Sequence, residues 1–96
     1  MKGEDNIKIL KWNISTKLKN YKENIESKLD KPIKFKFIDE NSSYSKYRAT
    51  SGYNPSNPKA LVQLNKDLDL SKNDIEILIA HELTHILLVY NGVWQI

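Results

Sequence analysis

At Lys31-Pro32 the spacing of apolar residues in this chain changes from three-and-four to two, and that switch constrains the fold class more than any other feature. Upstream, Ile7, Leu10, Ile14, Leu18, Tyr21, Ile25 and Leu29 trace one stripe of a helix, because residues three and four apart share a helical face. Lysines fill the other faces. Pro32 ends the element by disfavouring helical geometry in Lys31, and Asp5 or Asn6 can cap its start, so the spacing predicts a helix over 6–30. Downstream, Ile33, Phe35 and Phe37 alternate with Lys34 and Lys36, the signature of a half-buried strand over 33–38.

A polar loop from Asp39 to Ser43 follows. Tyr47, Ala49, Ser51 and Tyr53 alternate more weakly, which suits an edge strand over 46–53. Gly52 and the run Asn54-Pro55-Ser56-Asn57-Pro58 make a turn by composition. Ala60 to Leu64 then reads as a third strand, over 60–65, forming a hairpin with the second. Ser71 and Asp74 fit a capping box, and Leu70 with Ile75 fits a hydrophobic staple. Ile75, Leu78, Ile79, Leu83, Ile86, Leu87 and Tyr90 supply a wide apolar face before Gly92, predicting a helix over 72–91. The expected architecture is α+β, with both helices on one face of a three-stranded sheet. A chain of 96 residues, 40% hydrophobic and 28% charged, suits a single domain of that kind.

Composition narrows the chemistry. No run approaches the roughly 18 apolar residues of a membrane helix, so no membrane partner is expected. The absence of cysteine removes disulfides, thiolate metal sites and cysteine nucleophiles. The charged, amphipathic N-terminal segment is no secretory signal, and a cytoplasmic address is the expectation. Residues 1–48 carry twelve basic and seven acidic side chains, whereas 49–96 carry three and five. Fourteen of the fifteen basic residues are lysine, and no nucleic-acid motif accompanies them, so they read as a solvated surface.

The chemistry lies in the last helix, at His81-Glu82-Leu83-Thr84-His85. Two histidines four apart stand one above the other on a helix, where both imidazoles can grip one ion. Neutral imidazole nitrogens suit zinc at about 2.0–2.1 Å. Glu82 projects about 100 degrees round the helix, beside the ligands, where it can take a proton from a water without binding the metal itself. Zinc lowers the pKa of a water in its open position to about 7 and polarises a carbonyl, which suits peptide-bond hydrolysis.

The motif and the order of elements around it resemble the zincin metallopeptidases. Within them, Gly52-Tyr53, the strand Leu61 to Asn65 and Ile79 to Leu88 are most similar to the small bacterial ImmA/IrrE peptidases or to minimal gluzincins, with SprT-like peptidases sharing much of the pattern. The resemblance implies Zn2+ bound by His81 and His85, Glu82 as general base, and a bacterial or phage origin. It also implies an edge strand at Tyr47, Ala49 and Ser51 that pairs with a peptide or protein substrate, as extended peptides commonly do. Leu88 and Asn91 stand where metzincins need glycine and histidine, which rejects that class. A catalytic zinc needs a third protein ligand, and Ile86 to Ile96 contain no Glu, Asp or His. The expectation is therefore a domain truncated after its active-site helix, the alternative being a zincin-like module that binds without cutting.

Overall fold

The structure, a computed structural model, describes residues 14–66 and 70–93. Helix α1 spans Thr16–Leu29, strands β1, β2 and β3 span Ile33–Phe37, Ala49–Gly52 and Ala60–Leu64, and helix α2 spans Lys72–Tyr90. The architecture is the expected α+β one, two helices with a three-stranded mixed sheet.

Both helices start on serine and stop on a left-handed residue. Ser15 is extended, and its Oγ accepts the Leu18 N–H at 3.2 Å. This corrects the expected helix over 6–30, which begins at Thr16. The apolar period runs straight through Ser15, but serine is a strong cap, and its own N–H donates to Glu76 Oε2 on α2 at 3.0 Å. The caps expected at Asp5 or Asn6, with Ile7 and Leu10, lie outside the described residues. At the other end Asp30 takes φ 58, and Glu26 O accepts from the N–H groups of Asp30 and Lys31. Ser71 caps α2, accepting the Asp74 N–H at 3.2 Å. Gly92 closes α2 at φ 76, and the N–H groups of Gly92 and Val93 donate to Val89 O and Leu88 O, the paired bonds of a Schellman turn.

The sheet order is β1-β3-β2, with β1 parallel and β2 antiparallel to β3. β3 takes the centre because its sequence, ALVQL, is apolar enough to be flanked on both sides. β2 reads Ala-Thr-Ser-Gly and lies at an edge. It is shorter than the expected 46–53, since Tyr47 stands in a turn whose N–H donates to Tyr44 O at 2.9 Å.

One face of the sheet carries the core. Ile33 and Phe35 of β1 and Ala60, Val62 and Leu64 of β3 meet Leu18, Ile25 and Leu29 of α1 and Ile75, Ile79, Leu83 and Ile86 of α2. Each of these side chains larger than Ala60 contributes about 1.5–3 kcal/mol by leaving water. Glu26 ties α1 to the sheet, its Oε2 accepting from the Ile33 N–H at 2.7 Å and from Lys22 Nζ at 2.9 Å. Leu83 and Ile86 are fully buried, so packing fixes the rotation of α2 and with it the direction of the motif.

Candidate metal centre

Leu83 and Ile86 point into the core, which leaves Glu82 and His85 facing the groove along β2. His81 is exposed, His85 half-buried, and Glu82 is buried at 7% exposure, the one buried charged residue among those described. The imidazole centroids lie 4.2 Å apart with planes inclined at 61°. Glu82 Oε1 stands 3.9 Å from His85 Nδ1. One ligand atom from each of the three residues falls within 4.8 Å of the others.

That donor set fits a zinc ion. Two atoms bound at about 2.0–2.1 Å can stand at most about 4.2 Å apart, so small side-chain rotations close the cluster. Two imidazoles are nitrogen donors that suit zinc among other divalent ions, and the Glu82 carboxylate stands beside them. Among the described residues no further His, Asp or Glu joins them.

Thr84, inside the motif, braces the helix against α1. Its Oγ1 donates to Ala80 O at 2.8 Å, which uses its only proton. Tyr21 O–H is therefore the donor in the 2.7 Å bond between Tyr21 and Thr84. The site is thus anchored by core packing beneath it and by a hydroxyl relay behind it.

In front lies a groove of about 400 Å³ along the β2 edge, which Glu82 and His85 share with Tyr44, Tyr47, Ala49 and Ser51. Ala49 and Ser51 pair with Leu64 and Val62, so they occupy the sheet face that carries the helices. The structure therefore brings the residues expected at the edge into one groove with Glu82 and His85, with Tyr47 contributing from the turn before the strand. His81 opens on the other side, into a depression with Arg48, Asp74 and Leu78. Tyr44 is a groove residue that sequence reasoning missed, because it sits in a loop without period; its only signal is a second tyrosine three positions on.

No family model, curated protein or solved structure matches the chain. No described helix is long and apolar enough to cross a membrane.

Proposed function

We propose that this chain is a zincin-like metallopeptidase domain that hydrolyses peptide bonds. The observation supporting this reading is the convergence of two imidazoles and one buried carboxylate beside an open sheet edge. His81 and His85 would hold Zn2+. When bound, zinc supplies Lewis acidity, polarising a carbonyl and lowering the pKa of water. Glu82 accepts the proton of the attacking water and returns it to the leaving amine. The free side of β2 aligns the substrate in extended form, its backbone groups pairing as an added strand. The setting proposed is a reducing cytoplasm, in keeping with a chain that contains no cysteine.

The test is Glu82→Gln in the full chain. Metal content should stay near that of the parent while proteolysis of an unfolded protein substrate falls by about a hundredfold or more. Proteolysis at the parental rate would remove Glu82 from its role.

A second reading is a non-catalytic zincin-like module. It is favoured by the donor set among the described residues, where the two histidines have no third ligand besides the Glu82 assigned as base, since catalytic zinc takes three protein ligands and a water. It predicts peptide binding that a chelator leaves unchanged and no cleavage under any metal loading.

A further inference from the structure

The groove beside Glu82 and His85 has a feature that hydrolysis does not require. Tyr44 and Tyr47 are 51% and 55% exposed, yet they pack edge to face, with ring centroids 5.7 Å apart and planes at 84°. Single exposed aromatics need no explanation, but a paired shelf opening into a groove is a recognition surface.

The shelf stands on a built backbone. Tyr47 N–H donates to Tyr44 O at 2.9 Å, and Tyr44 N–H donates to Ser42 Oγ at 3.0 Å. Asn65, just past the end of β3, donates through Nδ2 to Ser45 O and Tyr47 O, both at 3.2 Å, while its N–H donates to Arg48 O at 2.8 Å. The turn carrying both rings is therefore stapled to the central strand, and a ligand need not order it.

We propose that Tyr44 and Tyr47 set the specificity of this site, seating a large apolar or aromatic side chain of a peptide extended along β2. The inference rests on the peptidase reading for the kind of occupant, and on the tyrosine pair for the side chain chosen. Aromatic rings favour an aromatic partner in offset or edge-to-face contact.

The experiment measures binding, so it does not depend on cleavage. Zinc-loaded Glu82→Gln protein is titrated with acetyl-Ala-Ala-Xaa-Ala-Ala-amide peptides in which Xaa is Phe or Ala, and the series is repeated without zinc. The Phe peptide should bind about tenfold tighter than the Ala peptide. Adding Tyr44→Ala and Tyr47→Ala should level the series, whereas Tyr47→Phe should keep it. Both rings are surface groups whose backbone bonds survive truncation, and circular dichroism verifies the fold. Equal affinities, or a Phe preference that persists without the two rings, would overturn the proposal. One zinc per chain without a Phe preference removes the shelf alone. A Phe preference without zinc binding removes the peptidase reading and leaves the shelf standing.

Discussion

Strands β3 and β2 lie side by side in one sheet and have opposite characters. On β3, Ala60, Val62 and Leu64 are 0% exposed. On β2 no residue is buried, although Ser51 faces Val62 directly across the ladder. The central strand is apolar and fully buried on the helix face, whereas the edge strand, which also runs against α2, is built of small and polar residues and stands along a groove. β2 already runs against α2, so large apolar residues at Ala49 and Ser51 would crowd the helix and fill the space before Glu82. The difference teaches that packing on one side of the molecule holds the motif in place, and under-packing on the other keeps it open.

Substitutions can break or sharpen that contrast. Phe35→Ala, in the middle of the packed side, should cost about 3–5 kcal/mol in urea unfolding, because a fully buried ring leaves a cavity that the helices close only in part. The cross-strand pair gives the finer comparison. Val62→Ala should cost about 2 kcal/mol, the value of its buried methyl groups and the void they leave. Ser51→Ala, directly opposite, should change stability by about 0.5 kcal/mol or less. Equal losses at the two positions would show that the edge is as much a part of the core as the centre.

The same contrast explains what could be read beforehand. The packed elements are periodic, so β1, β3 and the span of α2 were legible from spacing, and the caps at Ser71 and Gly92 from residue type. The N-terminus of α1 was not, because the stripe through Ile14 and Leu18 has no break at Ser15, and the bond from Ser15 to Glu76 joins residues 61 apart. Nor was the parallel pairing of β1 with β3, since period two gives a face and not a neighbour. At the site, His81, Glu82 and His85 were legible because helical geometry alone brings positions four apart together. The groove was legible only in part: Tyr47, Ala49 and Ser51 were expected along it, but Tyr44 was not, because its turn is held by Asn65 through hydrogen bonds that leave no periodic trace.

The central claim is that the two imidazoles of α2 share one metal ion. Zinc content after equilibrium dialysis of the parent chain and of His85→Ala, with circular dichroism verifying that both are folded, tests it most directly. The account predicts about one zinc per chain in the parent and none retained in the variant. Equal zinc in the two proteins, or none in either, would contradict it.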